Sequence, residues 1–550
     1  MRKDSHLATA LVLALGAALS STPAAVAAAP ATTVYASGAT GLAAKSAPAP
    51  ASAPAAAPSV STRPRGARRI PRSAGNAPAL AAPAQVSGST LAAGVPASLL
   101  SNFNGVSSRD SALSNFGQEF EPPDQGLCVG NGYVLEMVNS AYTVYTPAGK
   151  TVTGPFNVNG PFGEGLTEFT SDPRCYYEAA THTWYATVLA INKGFTASTV
   201  DVAVNTSGDP TTVWTDYRVD TTDVGGRTGP RHKGCPCLGD QPTLGVDQHN
   251  LYFTTNEFAL ETEQFNGAQI YALAKKDLLA LSPTVHFAHF DKLEIGGAPA
   301  ASVQPAISTG TPKGEFFLSA LDPTETFDQR IGVWSVTEGA AVAKGEVPKL
   351  SSVVLGSEAY GPPPPGEQRG SSSLIDGGDD RMQQVQYKDG SVWGELGTAL
   401  TLAGDPVQRA GAGWFQVEPR LGGGTLKSAS IKRQGYVALP GNYLLYPALQ
   451  VGASGTAAMV MTLTGAKHFP SAAFATLAPG ASSFGPVTVA ASGSGPYDPE
   501  AERWGDYSFA AMDPAGSSVW LATEYMPPKS SQTPDGQRNW GTRVFDVPTP

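Results

Sequence analysis

The sequence has 550 residues, of which 41% are hydrophobic and 15% are charged, with 61 Gly and 46 Pro. This apolar content is enough for a folded core, although turn-forming residues interrupt it often. Residues 1 to 100 carry 8 Lys and Arg and one Asp, whereas residues 101 to 550 carry 28 Lys and Arg against 45 Asp and Glu. The larger part is therefore strongly acidic and repels polyphosphates, which excludes nucleic acid as an expected partner.

The N-terminus has the pattern of a secretory signal peptide, which we assign to residues 1–27. Arg2 and Lys3 precede an almost wholly apolar run from Leu7 to Leu19, and Ala25-Val26-Ala27 supplies a cleavage site of the small-x-small type. The apolar run is shorter than the ~20 residues that a membrane-spanning helix needs. We therefore expect a secreted, extracellular protein without a membrane span.

Residues 28–100 consist almost entirely of Ala, Pro, Ser, Thr and Gly. Such a composition buries too little apolar surface to offset the entropy of ordering, so it predicts a disordered linker or pro-region. An arginine cluster between Arg63 and Arg72 is interpreted as part of a solvated spacer; contact with an anionic cell surface and cleavage at Arg68-Arg69 are the alternatives. Residues 101–550 form the predicted folded domain, which we expect to be a monomer.

A spacing recurs along this domain, in which an acidic or amide residue is followed 12 to 14 residues later by an aromatic residue in an apolar run. The pairs are Asp172 and Trp184, Asp240 and Tyr252, Gln304 and Phe317, Asp380 and Trp393, and Asp506 and Trp520, with a shorter version from Asp124 to Tyr133-Val134. Turn sequences such as Lys388-Asp389-Gly390 lie between the two members. Each unit is therefore predicted to be a β-hairpin.

The intervals between these hairpins leave room for a second hairpin in each unit. Met459 marks a further, degenerate copy, and only Ala272 to Leu281 favours a helical turn. Four-stranded units repeated about seven times without a long helix predict an all-β, six- or seven-bladed β-propeller, because radial closure leaves few open sheet edges. An array of β-sandwiches is the alternative, but its strands would not repeat the spacing so regularly.

The chain resembles secreted bacterial β-propeller proteins of unassigned function, which are distantly similar to the sialidase-like superfamily. The stretches that carry the resemblance are EPPDQGLCVGNGYVLEMVN (121 to 139), SDPRCYYEAATHTWY (171 to 185), CLGDQPTLGVDQHNLYFTTNEF (237 to 258) and RWGDYSFAAMDPAGSSVWLATEY (503 to 525). The resemblance covers roughly residues 115 to 548, implies the propeller fold and export, and brings no catalytic residues with it. Only Ser207 to Trp214 approaches a sialidase Asp-box, with Thr211 in place of Gly.

The four cysteines, Cys128, Cys175, Cys235 and Cys237, favour disulfides in an exported chain. Of the three possible pairings we prefer Cys128 with Cys175 and Cys235 with Cys237, since the first pair occupies matching places in two consecutive units. A zinc site is the alternative, but the cysteines lack the spacing of structural zinc sites.

In a propeller, the first strand of each unit would begin, and the second would end, on the same face. That rule predicts a ring of carboxylates and amides at one mouth of the central channel. The candidate site residues are Asp240, Glu257, Asp380, Arg381, Arg503, Asp506, Glu524 and Tyr525. Two carboxylates there could cleave a glycosidic bond, several could hold Ca²⁺, and the arginines could clamp an acidic sugar. The structural alternative is that each repeated Asp caps backbone N–H groups or links adjacent units.

Two functions are therefore weighed. The first is a glycan-active hydrolase or lyase; the second is a non-catalytic protein that binds extracellular glycan, a protein surface or Ca²⁺. Catalysis needs unlike carboxyl groups with shifted pKa values, whereas ligand binding tolerates uniformly ionised ones, so the environments of the carboxyl groups distinguish the two.

Overall fold

The computed structural model of the chain describes residues 32–46, 83–92, 99–166, 168–226, 231–321, 326–497, 503–529 and 539–550. Regular structure in these ranges is almost entirely β-strand, so the predicted all-β class is confirmed. The helices are α1 (Ser108–Ser114), α2 (Lys275–Leu279) and a 3₁₀-helix (Gly339–Lys344). None of these described helices is long and apolar enough to cross a bilayer. The predicted signal peptide and the arginine cluster lie outside the described residues.

The described residues form seven antiparallel units, six of them with four consecutive strands and the last with three. Four strands precede unit 1: β1 (Thr33–Tyr35), β2 (Ala39–Lys45), β3 (Ala84–Val86) and β4 (Ser101–Ser107). Unit 1 contains β5 (Gly126–Gly130), β6 (Tyr133–Val138), β7 (Ala141–Tyr145) and β8 (Thr151–Asn157). Unit 2 contains β9 (Phe169–Glu178), β10 (Thr183–Ile191), β11 (Ser198–Asn205) and β12 (Thr215–Asp220). Unit 3 contains β13 (Cys237–Val246), β14 (Asn250–Ala259), β15 (Phe265–Ala274) and β16 (Thr284–Phe290).

The second half of the ring is built in the same way, after a short hairpin of β17 (Glu294–Ile295) and β18 (Ala298–Pro299). Unit 4 contains β19 (Gln304–Ser308), β20 (Gly314–Ala320), β21 (Asp328–Thr337) and β22 (Lys349–Tyr360). Unit 5 contains β23 (Met382–Lys388), β24 (Ser391–Leu402), β25 (Asp405–Gly422) and β26 (Thr425–Val437). Unit 6 contains β27 (Tyr443–Val451), β28 (Ala457–Gly465), β29 (His468–Leu477) and β30 (Thr488–Ala491). Unit 7 contains β31 (Phe509–Met512), β32 (Ser518–Tyr525) and β33 (Gly541–Pro548).

The ring is closed at unit 7 by a strand from the other end of the chain. β4 pairs antiparallel with β33 and so supplies the fourth strand of unit 7. The first strand of every unit contacts the first strands of both neighbouring units, including β31 with β5. A closed ring of four-stranded sheets around their first strands is the architecture of a β-propeller.

The predicted hairpins form the first two strands of the units. Their anchor residues, Val134, Trp184, Tyr252, Phe317, Trp393, Met459 and Trp520, are all buried. Trp184 packs with Cys128 and Leu135 of unit 1, so the anchors fill the space between neighbouring sheets. The strand order thus places the start of each first strand and the end of each second strand on one face.

Part of the segment predicted to be disordered is paired with the ring, which differs from the prediction for residues 28–100. β2 pairs with β16 over six residues and with β12 over two, so it links the outer edges of units 3 and 2. β1 pairs with β22, and β3 pairs with β24. Backbone hydrogen bonds to open strand edges order these residues although their side chains supply little apolar surface.

Both predicted disulfides are confirmed. Cys128 and Cys175 join the first strands of units 1 and 2, with a Cα–Cα distance of 5.6 Å. Cys235 and Cys237 are bonded to each other just before and at the start of β13. No described cysteine is free, and the zinc alternative is therefore wrong for this oxidised state.

Candidate functional site

A residue with positive φ lies near the beginning of the first strand in every unit. These residues are Asp124, Asp172, Gln241, Ser302, Gly378, Tyr446 and Gly505, with φ between 42° and 69°. Five of the seven are neither Gly nor Asn, although side chains other than these rarely adopt this conformation. The repeated bend turns the chain from the mouth of the ring into the channel.

Asparagine side chains support these bends in pairs of neighbouring units. Asn139, at the end of β6, donates a hydrogen bond to Asp124 (2.7 Å) and accepts one from the backbone N–H of Asp172 (2.8 Å). Asn256, in β14, makes the equivalent contacts, to Gln241 (3.3 Å) and from the N–H of Ser302 (2.8 Å). The inter-unit link that the sequence suggested for the repeated Asp is therefore supplied by Asn.

Carboxyl groups from several units converge at this mouth, with Asp506 at their centre. We call Asp124, Asp172, Asp240, Asp376 and Asp506, together with Arg381 and Arg503, the central acidic cluster. The Asp506 side chain is 30% exposed and accepts a hydrogen bond from the Arg503 guanidinium at 2.5 Å. Arg503 also lies 3.9 Å from Asp376. The charge of Asp506 raises the pKa of Asp124, Asp172 and Asp376, each after the larger effect of burial.

Arg381 is the second cation of the cluster and is held on two sides. Its Nε donates to Asp379 Oδ1 at 2.7 Å, and its other nitrogens donate to Asp379 Oδ2 and to Gln241 Oε1. Asp379, Asp506 and Asp240 raise its pKa against the opposing effect of burial. Because the guanidinium already donates hydrogen bonds to the Asp379 carboxylate and the Gln241 amide, Arg381 is poorly suited to bind an acidic ligand.

The carboxyl groups of the cluster have unlike environments. Burial, followed by the charges of Asp240 and Asp506, raises the pKa of Asp172 to about 6. Burial also raises the pKa of Asp124 well above its ordinary value, with further contributions from Asp506 and Asp172. Asp506 differs from both, because it is partly exposed and paired with Arg503. The mouth thus combines protonatable carboxyl groups with a carboxylate held beside a cation.

Five of the eight predicted site residues come together here. Asp240, Arg381, Arg503 and Asp506 belong to the cluster. Glu524 lies beneath it, fully buried, and accepts a hydrogen bond from the N–H of Gly505 at 2.6 Å. Burial and the charge of Asp124 raise the pKa of Glu524 well above its ordinary value. Glu524 therefore supports the bend of unit 7 through this hydrogen bond.

The other three predicted residues lie elsewhere. Asp380 is fully buried close to Tyr360, whose pKa its charge raises. Tyr525 donates to Asn104 of β4, inside the sheet of unit 7. Glu257 accepts a hydrogen bond from Asn266 (2.8 Å) and lies 2.6 Å from His232 Nδ1, away from the contacts that Asn256 makes at the channel. We therefore do not assign these three residues to the central acidic cluster.

Sequence reasoning missed several members of the site. Asp376 and Asp379 belong to the run Asp-Gly-Gly-Asp-Asp at 376 to 380, which is the signal that could have found them. Tyr446 follows no such pattern. Its buried hydroxyl has no hydrogen-bond partner among the described residues, and its pKa is raised first by burial and then by Asp376 and Asp506. The near Asp-box at Ser207 forms a turn between β11 and β12, where Asp209 Oδ1 accepts from the N–H of Thr211 at 2.9 Å.

Comparison with solved structures finds propeller-shaped proteins at low similarity. The GH93 α-L-arabinofuranosidase of Fusarium graminearum is 10% identical and matches 80% of this chain and 97% of that chain, with a TM-score of 0.34. The α-L-arabinanase of Penicillium chrysogenum is 11% identical, with 82% and 99% covered and a TM-score of 0.33. The endosialidase of phage phi92 is 9% identical, with 68% and 66% covered and a TM-score of 0.34.

These similarities are too low to carry an assignment of function. No protein-family model matches the sequence, and no curated protein matches it. The resemblance to secreted propellers of the sialidase-like superfamily therefore stays a prediction, and function is argued from the site alone.

Proposed function

We propose that this protein is a glycan-active hydrolase whose active site is the central acidic cluster. The observation that carries the proposal is the pairing of unlike carboxyl groups: Asp172, buried with its pKa raised to about 6, and Asp506, partly exposed and held by Arg503. Hydrolysis of a glycosidic bond needs one carboxylic acid and one carboxylate on either side of the bond. Separate environments for the two carboxyl groups supply that difference.

Each group then has a definite role. Asp172 is the general acid that protonates the leaving oxygen, since its neutral form persists to about pH 6. Asp506 is the carboxylate that activates water or attacks the sugar, because its side chain is partly exposed and is held in place by a hydrogen bond from Arg503. The charge of Asp240 helps raise the pKa of Asp172 and so favours the protonated form of the general acid.

The substrate class follows from the arginines. Arg381 is bound to Asp379 and Gln241, and Arg503 is bound to Asp506. Both guanidinium charges already face carboxylates, and the carboxylates here outnumber the two arginines, so we propose a neutral sugar at the cleaved bond. A lyase, which needs a cation at the carboxylate of its substrate, is disfavoured for the same reason.

Product release from a panel of neutral and acidic polysaccharides tests the proposal on the purified exported chain. We expect release from a neutral polymer, a loss of at least about 100-fold in kcat for Asp172→Asn and for Asp506→Asn, and falling activity as pH rises above 6. Asp380→Asn is the matched control, because it makes the same chemical change at a buried site outside the cluster. No release from any polymer, or equal activity in all variants, would contradict the proposal; binding without release would favour a non-catalytic protein.

We further propose that the protein acts outside the cell. The signal-peptide pattern of residues 1–27 and the two disulfides support export, since disulfides persist in oxidising compartments. N-terminal sequencing of the secreted protein tests this, with a mature chain that begins at Ala28 as the expected result.

A further inference from the structure

A second group of ionisable side chains lies at the junction of units 2 and 3. We call Asp223, His232, Glu257 and Asp291 the junction cluster. Asp223 and His232 lie in the connection between β12 and β13, Glu257 lies in β14, and Asp291 follows β16. His232 Nδ1 is 2.6 Å from Glu257 Oε2 and 3.7 Å from Asp223 Oδ2, and His232 Nε2 is 3.0 Å from Asp291 Oδ2. One imidazole is thus surrounded by three carboxyl groups.

Asp223 is the unusual member of this cluster. Its side chain is 2% exposed, and no N–H or hydroxyl group among the described residues donates a hydrogen bond to its carboxyl oxygens, which face the Glu257 carboxyl group and, at 3.7 Å, His232 Nδ1. The buried hydroxyl of Tyr271 also has no hydrogen-bond partner among the described residues, and burial, followed by the charges of Asp223 and Glu257, raises its pKa. Unpartnered buried polar atoms are rare in native proteins and point to a bound ion or water.

We propose that the junction cluster is a divalent-metal site, with His232 Nδ1 and the carboxylates of Asp223 and Glu257 as ligands and Zn²⁺ as the preferred ion. One imidazole nitrogen and two carboxylates suit zinc, and zinc binds such nitrogen and oxygen ligands more tightly than manganese or iron does. On binding, the imidazole releases its Nδ1 proton, and Asp223 releases its proton if it carries one. Three protein ligands leave a fourth position for water.

The surroundings of the three ligands fit this role. Asp291 at His232 Nε2 is the carboxylate partner that orients metal-binding histidines. Asn266 donates to Glu257 Oε1 at 2.8 Å, which leaves Oε2 directed at His232. The site is separate from the central acidic cluster, because Asn256, the residue before Glu257, makes the channel contacts.

The neighbouring disulfide defines which atoms are ligands. Cys235 Sγ lies 3.6 Å from Glu257 Oε1, and the potential ligand atoms of Cys235, His232 and Glu257 all lie within 4.8 Å of one another. Cys235 is bonded to Cys237, so it offers no thiolate in the oxidised protein. The proposed zinc site therefore uses nitrogen and oxygen ligands only.

Titration calorimetry with Zn²⁺ alone, on the chelator-stripped and oxidised exported chain, tests the proposal. We expect one Zn²⁺ per chain, with affinity reduced at least about 100-fold by Asp223→Asn and by His232→Gln, and about 10- to 100-fold by Asp291→Asn. Asp506→Asn is the matched control, since it makes the same change in the central acidic cluster, and it should bind zinc as the unaltered protein does.

Two further measurements test whether the cysteines are ligands and whether a loss of binding reflects misfolding of a variant. The Cys235→Ser/Cys237→Ser double variant should keep zinc binding. In the unaltered protein, bound Co²⁺ should give the visible absorption of a low-symmetry, four- or five-coordinate site. The Co²⁺ measurement does not require any variant to fold. Absence of zinc uptake would mean that water fills the junction cluster and would overturn the proposal. Uptake only after reduction of the disulfide, or uptake abolished by Asp506→Asn, would overturn it as well.

Discussion

The buried carboxyl group of Glu136 provides a direct test of how β4 closes the ring. This residue of β6 is fully buried where β4 passes over unit 1, and its Oε2 accepts a hydrogen bond from the N–H of Val106 at 2.8 Å. A Cβ atom added to Gly105 would lie 2.3 Å from the same oxygen, so β4 and the carboxyl group are in direct contact. Burial raises the pKa of Glu136 from 4.5 to about 7, although hydrogen bonds from Thr542 and Val106 oppose the shift.

The raised pKa makes closure dependent on pH. Below pH 4.5 the carboxyl group is protonated in both folded and unfolded chains, and its contribution to stability is fully present. As pH rises toward 7 the unfolded chain releases the proton and the folded chain does not, so the free energy of unfolding falls. A shift from 4.5 to about 7 corresponds to about 3 kcal/mol, all of it lost once pH exceeds the folded pKa. Glu136→Gln keeps the neutral shape and removes this dependence.

Equilibrium unfolding in urea between pH 4 and pH 8 measures the effect, with reversibility checked by refolding. The difference between the unaltered protein and Glu136→Gln isolates this residue, since other buried carboxyl groups titrate in both. We expect the variant to gain about 3 kcal/mol relative to the unaltered protein between the two ends of this range. A difference that stays constant with pH would show that the carboxyl group is not desolvated at the β4 contact, and the account of closure would fail.

Two further predictions concern stability. Replacing Cys128 and Cys175 with Ala should lower the free energy of unfolding by about 4 kcal/mol, because the disulfide between residues 47 positions apart closes a long loop. The same change at Cys235 and Cys237, two residues apart, should lower it by less than about 2 kcal/mol. Equal losses in urea unfolding would contradict this prediction. Deleting residues 32–46 should lower stability by roughly 2–4 kcal/mol, because the lost backbone hydrogen bonds, each contributing about 1 kcal/mol, are partly offset by the entropy cost of ordering this segment. The deletion should leave the ring closed through β4. An unchanged thermal unfolding temperature would show that β2 contributes nothing.

The sequence predicted the repeated hairpins because their signal is local. An acidic or amide residue, a turn and an aromatic residue lie within one hairpin, and Trp184 and Trp520 are buried as the spacing required. The pairing of Cys128 with Cys175 followed from the same repeat, since equivalent positions on neighbouring first strands lie side by side. Local spacing was enough for the fold and for this disulfide.

The direction of individual side chains could not be predicted in the same way. Register shifts by a bulge between Asp240 and Thr243, opposite the end of β14. A one-residue shift moves a side chain to the other face of a sheet. Counting from Asp240 therefore selected Glu257, whereas Asn256 makes the contacts at the channel. Composition also gave the wrong expectation at β2, where backbone pairing to two open strand edges orders a segment that has few large apolar side chains.

In the central acidic cluster, a backbone bend that repeats from unit to unit holds side chains that differ from unit to unit. Asp124, Asp172, Gln241 and Tyr446 share the same positive-φ bend, so the bend itself is a property of the ring. Their side chains differ, and only some of them are joined by the cations Arg381 and Arg503, which come from single units. A ring with only a structural role would need the bend and the supporting Asn, but it would not need Arg381 or Arg503. The departures from the repeat are therefore the positions at which selection for a ligand or a reaction is expected, and Arg503 with its partner Asp506 is the first of them.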